Sequence, residues 1–150
     1  MSDIDLPELI DAVVARLGTE DGLADAGVTD GPQLTGSDRN DWVLVGFDGD
    51  QDGEFLAGTT EEDWAALDPS RARNIRLTVA LLARRGDGDV AAARARVYEM
   101  ARVIRYVLHG DPSIGLPGAL CAIGATALHQ PQTTSGVQVR LLLTLVCRTI

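Results

Sequence analysis

From Arg73 to Arg84 the chain alternates with a period of two. Ile75, Leu77, Val79, Leu81 and Ala83 point one way, and Asn74, Arg76, Thr78, Ala80, Leu82 and Arg84 the other. This is the pattern of a long strand with one face on a core. The period changes at Gly86-Asp87-Gly88. At about 100° per residue, Val90, Ala93, Val97, Met100, Ala101, Ile104, Val107 and Leu108 then fall on one apolar stripe, while Arg94, Arg102 and Arg105 share a different face. Asp87 or Asp89 can cap the first-turn amides, and Gly110-Asp111-Pro112 supplies a stop. A long helix over residues 88–109 is predicted, roughly 30 Å at 1.5 Å per residue.

A shorter helix is expected after Asp5-Leu6-Pro7-Glu8, a capping-box pattern followed by Leu9, Ile10, Val13 and Leu17 at helical spacing, with Gly18 to end it. Residues 18–41, rich in Gly, Asp and Thr, read as an exposed connection with a short strand at Gln33 to Thr35. Trp42 to Phe47 reads as a strand buried on both faces, and Glu61 to Leu67 as a turn of helix. Leu120 to Gln130 begins a closing hairpin. In its second strand Val137, Val139, Leu141, Leu143, Leu145 and Cys147 face inward, and Gln138, Arg140, Thr144 and Arg148 face outward, interrupted by Leu142, Val146 and Ile150. Strands and helices mix without regular alternation. The expectation is a single α+β domain over residues 1–150, with a largely antiparallel or mixed sheet and both helices packed on one face.

Composition adds limits. A chain of 150 residues with 45% hydrophobic content can bury a core without metal or disulfide support. No apolar run is long enough to span a bilayer, and the acidic Ser2 to Glu8 does not look like a secretory leader, so a soluble protein made in a cytoplasm is expected. All 13 basic residues are Arg, which fits a GC-rich genome. The net charge of −9 is unevenly distributed: residues 1–69 hold 18 acidic residues against 2 Arg, and residues 70–150 hold 4 against 11 Arg. Such polarity allows identical copies to dock head to tail.

Chemistry is sparse. Asp48-Gly49-Asp50-Gln51-Asp52-Gly53 matches the first half of a calcium loop, with Asp48, Asp50 and Asp52 as the alternative metal ligands. Its twelfth position is Thr59 where a bidentate Glu is needed, so the favoured reading is an acidic turn and no metal. His109 and His129 lack Cys, Asp or Glu at ligand spacing, Ser113 stands in no nucleophile motif, and two carboxylates in Gly86-Asp87-Gly88-Asp89 would repel phosphate. Cys121 and Cys147 sit inside apolar strand patterns and read as small buried hydrophobes. Arg96 and Arg102, three residues either side of Glu99, read as ordinary surface pairs. No enzyme and no cofactor are expected.

Taken together, the segments VLVGFDGDQDGE, EEDWAAL, NIRLTVALLARRGDGDVAAARARVYEMARVIRYVL, DPSIGLPGAL and GVQVRLLLTLVCRTI look like small tail-completion proteins of actinobacterial phages. From about Trp42 onward the chain resembles the tail terminator family of long-tailed phages. That resemblance implies an α+β protein of the virion that forms a hexameric ring at the head-proximal end of the tail. Its partners would be other copies, the tail tube protein and the head-completion or connector proteins, with DNA passing through the lumen without specific binding and no membrane involved. The alternatives are another neck protein, such as a head-tail stopper, and a small Ca²⁺-dependent binding module. Arg94, Arg102 and Arg105 on one side, and Asp48, Asp50, Asp52 and Glu54 on the other, are the candidate subunit-contact residues.

Overall fold

The computed structural model describes residues 4–33, 39–62, 73–134 and 136–149. Helix α1 (Leu6–Gly18) starts where the sequence marks it: the Glu8 N–H donates to the Asp5 carboxylate at 3.3 Å, and Pro7 occupies the first turn. Leu9, Val13 and Leu17 are buried. A 3-10 turn (Asp21–Leu23) leads into β1 (Gly27–Asp30), followed by β2 (Asp41–Val45), β3 (Gly58–Glu62) and the long β4 (Arg73–Arg85). Helix α2 (Val90–Gly110) begins two residues later than expected, with the Asp89 carboxylate accepting the Ala92 N–H at 3.0 Å. The remaining strands are β5 (Ala119–His129), the short β6 (Gln132–Thr133) and β7 (Gly136–Thr149).

The strands form one mixed sheet in the order β1-β2-β4-β7-β5, with β3 also on β4 and β6 on β7. Only β1 and β2 run parallel; the other pairs are antiparallel. The spine is β4 against β7, paired without a break from Arg73↔Thr149 to Arg85↔Val137. On the inner face, Ile75, Leu77, Val79, Leu81 and Ala83 meet Val139, Leu141, Leu143 and Cys147 beneath both helices in a single core. The fold class is therefore the α+β arrangement that the alternating patterns predict.

Three expectations are corrected. Residues 18–41 are not a bare connection: Leu23 and Ala26 are buried, and Gly27–Asp30 forms a parallel edge strand. Gln33 is irregular, and Leu34 and Thr35 lie outside the described residues. Glu61 and Glu62 end β3 instead of opening a helix, and residues 63–67 of that expected turn lie outside the described residues.

The outward face of β4 is also not simply polar. Ala80 and Leu82 are fully buried there with Trp42, Leu44 and Phe47, and Leu142 packs against them. Strand β2 is thus buried on both faces, as its unbroken apolar run predicts, and Leu142 interrupts the polar face of β7 because it has this second cluster to cover. Val146 is half-buried, and Ile150 lies outside the described residues. In β5 the register shifts between Ile123 and Ala125, a β-bulge at Gly124, where any Cβ would collide with the Val146 side chain.

Replacing Leu81, fully buried on the spine, with Ala is expected to cost about 2 to 5 kcal/mol in urea unfolding. At Gly136, where φ is 121° and an added Cβ would strike the Arg85 carbonyl, Gly136→Ala is expected to destabilise by more than about 1 kcal/mol. Unchanged unfolding midpoints would contradict the β4–β7 geometry.

Candidate functional site

Helix α2 presents two differently charged environments. Arg96 is the more surprising: it is 9% exposed and donates from Nη2 to Asp25 at 2.6 Å, from Nε to Asp41 at 3.0 Å and from Nη1 to Glu99 at 2.9 Å. Asp41, at the start of β2, also takes Arg85 Nη1 at 2.8 Å. Burial alone would lower the Arg96 pKa, but the hydrogen bond to Asp41 and the charges of Asp25, Asp41 and Glu99 outweigh it and hold the pKa above its ordinary value. The expected surface pairing of Arg96 with Glu99 is therefore corrected: Glu99 is one ligand of a part-buried cluster joining α2, β2, β4 and the segment before β1. Arg102 takes no part in it.

The outward face of α2 is of another kind. Arg94 is half-buried and donates to the Gln130 side chain at 2.8 Å. Arg102 and Arg105 are exposed, and none of the three forms an ion pair among the described residues. Sequence reasoning missed that two tyrosines share this face: Tyr98 is 38% and Tyr106 is 78% exposed, falling between and beside the arginines at helical spacing. Arg and Tyr together are the residue types enriched at protein interfaces.

The acidic residues lie across the sheet. The 48–54 loop folds over the outer face, where Arg140 Nη1 donates to the Asp48 carbonyl at 2.7 Å. Phe55, which follows the loop, stacks on Phe47 at 5.4 Å. Gly49 makes the close approach possible: its φ is +81°, and a Cβ would come within 2.8 Å of Arg140 Cδ. Within the loop, the Asp48 carboxylate accepts the Asp50 N–H at 2.8 Å and the Asp50 carboxylate accepts the Asp52 N–H at 3.0 Å. These are consecutive Asx turns. Thr59, the position where a calcium loop would close, is exposed on β3 opposite Arg76. No group of three or more His, Cys, Asp or Glu side chains among the described residues is arranged to hold a metal.

Asp48, Asp50 and Glu54 line one side of an open hollow of about 510 Å³, floored by Thr78, Leu142 and Thr144 and bounded by Ala125 to Ala127 of β5. Asp52 is exposed at the loop tip. Phe55 and Leu56, 53% and 54% exposed, continue the rim. The structure thus brings three of the four candidate acids together and places the candidate arginines on the far side of the sheet. The acidic cluster, with Phe55 beside it, and the arginine cluster, with Tyr98 and Tyr106, lie on opposite sides of the core, and the face that carries the acids also carries Arg76, Arg140 and Arg148. His109 and His129 are exposed.

No helix among the described residues is long and apolar enough to cross a membrane. Compared with protein-family models and with curated proteins, the chain matches none.

Arg96→Met should lower stability by about 3 kcal/mol, because it leaves Asp41 mostly buried with only Arg85. Asp25→Asn should cost less than about 1 kcal/mol, since that carboxylate is 79% exposed. Equal losses in chemical denaturation would refute the ranking. Calorimetric titration with millimolar Ca²⁺ is expected to give no binding heat; a saturable isotherm lost in Asp50→Asn would overturn the reading of the loop as an acidic turn.

Proposed function

We propose that this protein is a structural component of a phage virion, a tail terminator that forms a ring at the head-proximal end of the tail tube and joins it to the head connector. The observation that carries the reading is the placement of two complementary clusters, three arginines and three acids, on opposite faces of the sheet. Arg94, Arg102 and Arg105 face outward from α2 with Tyr98 and Tyr106, while Asp48, Asp50 and Glu54 line a hollow on the opposite face beside Phe55 and Leu56. A surface of one kind on one side and its complement on the other makes contacts between unlike patches. Such heterologous contacts generate a ring when the rotation closes.

In this reading the arginine face of one copy meets the acidic hollow of the next. Arg supplies planar multidentate hydrogen bonding to carboxylates, and the neighbouring aromatic side chains exclude water from the contact. The resemblance of the segments from Trp42 onward to tail terminators supplies the biological setting: a ring that stops tube growth, with one rim on the tube, the other on the connector, and a lumen for DNA. Acidic residues not used between copies would repel the phosphate backbone and let DNA pass. The protein performs no chemistry; its activity is to bind, to stop and to join. It would be assembled in the bacterial cytoplasm and reside in the virion.

Light scattering at moderate salt should report a multimer, and electron microscopy a ring with a central opening. Combining R94E, R102E and R105E should abolish assembly while leaving the circular dichroism of the monomer unchanged. High salt should weaken the wild-type multimer, because the contact is ionic. A folded triple variant that still forms rings would sink the charge-docking mechanism. A wild-type chain that stays monomeric, both alone and on tail tubes, would sink the terminator reading.

A further inference from the structure

Cys121 of β5 and Cys147 of β7 are direct cross-strand partners on the inner face of the sheet, and both are free thiols. The Cys121 N–H does not point to β7: it donates at 2.8 Å to the carbonyl of Pro112, in the turn that covers the end of the sheet. Cys121 and Cys147 therefore form a non-hydrogen-bonded pair, in which side chains approach most closely, with Cα atoms typically about 4.5 Å apart. That spacing lies within the range a disulfide spans without backbone movement. The two thiols are within hydrogen-bonding reach of each other.

We propose that Cys121 and Cys147 form a covalent modification site, a dithiol that a hydroperoxide oxidises to an intramolecular disulfide. The hydrogen bond between the two thiols holds one of them, Cys147, below its ordinary pKa against the opposing effect of burial, and raises the other. The thiolate is the form that attacks, so hydrogen bonding within the pair favours the first step.

In the first step the thiolate of one cysteine attacks one peroxide oxygen. An S–O bond forms, the O–O bond breaks, and the departing hydroxide takes a proton to become water; that cysteine is left as a sulfenic acid. In the second step the other cysteine's sulfur attacks the sulfenic sulfur, the S–S bond forms, and the sulfenic hydroxyl leaves as water with the second thiol's proton. Two thiols lose two electrons, and hydrogen peroxide is reduced to two waters. Cys121 is 5% exposed and Cys147 is fully buried, so the oxidant must be small, as hydrogen peroxide is. The product ties the edge strand β5 to the spine of the sheet just before the Gly124 bulge.

The site is independent of the ring reading, and hydrogen peroxide on the purified full-length chain tests it directly. Intact mass should fall by two hydrogens, and proteolysis without reductant should yield one linked peptide joining Cys121 to Cys147. The thermal midpoint should rise by roughly 5 to 10 °C and return on adding dithiothreitol. Cys121→Ser and Cys147→Ser should each abolish the linked peptide and the peroxide-dependent rise in the thermal midpoint. Two outcomes would overturn the proposal in the wild-type chain without recourse to either variant: thiols that remain fully titratable after peroxide and denaturation, or disulfides only between chains.

Discussion

The Arg96 cluster is the constraint on which the arrangement of the acidic half depends. A guanidinium cannot be withdrawn from water without anions to receive its hydrogen bonds, and here they come from Asp25, Asp41 and Glu99. Meeting that demand fixes three relationships at once. Strand β2 must start beside α2, the segment before β1 must pass close enough for Asp25 to reach, and Arg85 must end β4 against the same Asp41. The parallel pairing of β1 with β2 is compatible with all three. Packing of Val43 and Val45 beneath the helices then supplies the non-directional part of the attraction. The charge polarity of the sequence is therefore used partly within the molecule, and the residual positive charge is left on the outward turns of α2.

Much of the fold was legible because its longest elements are the most periodic. Strands β4 and β7 and helix α2 each repeat their pattern many times, so one displaced residue does not disguise them. Strand β1 offers only Gly-Val-Thr-Asp, too short for alternation to show inside an acidic stretch, and it exists because β2 offers an edge. The burial of Ala80 and Leu82 depends on Trp42 and Phe47 arriving from elsewhere in the chain, which no local pattern records.

The candidate surfaces were legible in part for the same reason. Helical spacing places Arg94, Arg102 and Arg105 outward correctly, but the same wheel puts Arg96 within about 20° of Val107 at the border of the apolar stripe. That position was the available signal that it is buried. The tyrosines beside the arginines were open to the same argument. The hollow lined by Asp48, Asp50 and Glu54 was not, because it is made by a loop folding across the sheet onto a distant strand.

The bulge at Gly124 has a consequence for β5 as a boundary of the molecule. Beyond it the strand is exposed on both sides and carries no formal charge up to His129, the kind of edge that invites uncontrolled joining of sheets. One extra residue there breaks the even rhythm of donors and acceptors. A straight strand approaching from outside can match the rungs before the bulge or those after it, but it loses step in crossing it. The edge therefore disfavours long, regular strands and leaves only short stretches to which another chain can add, which works against growth into a fibre.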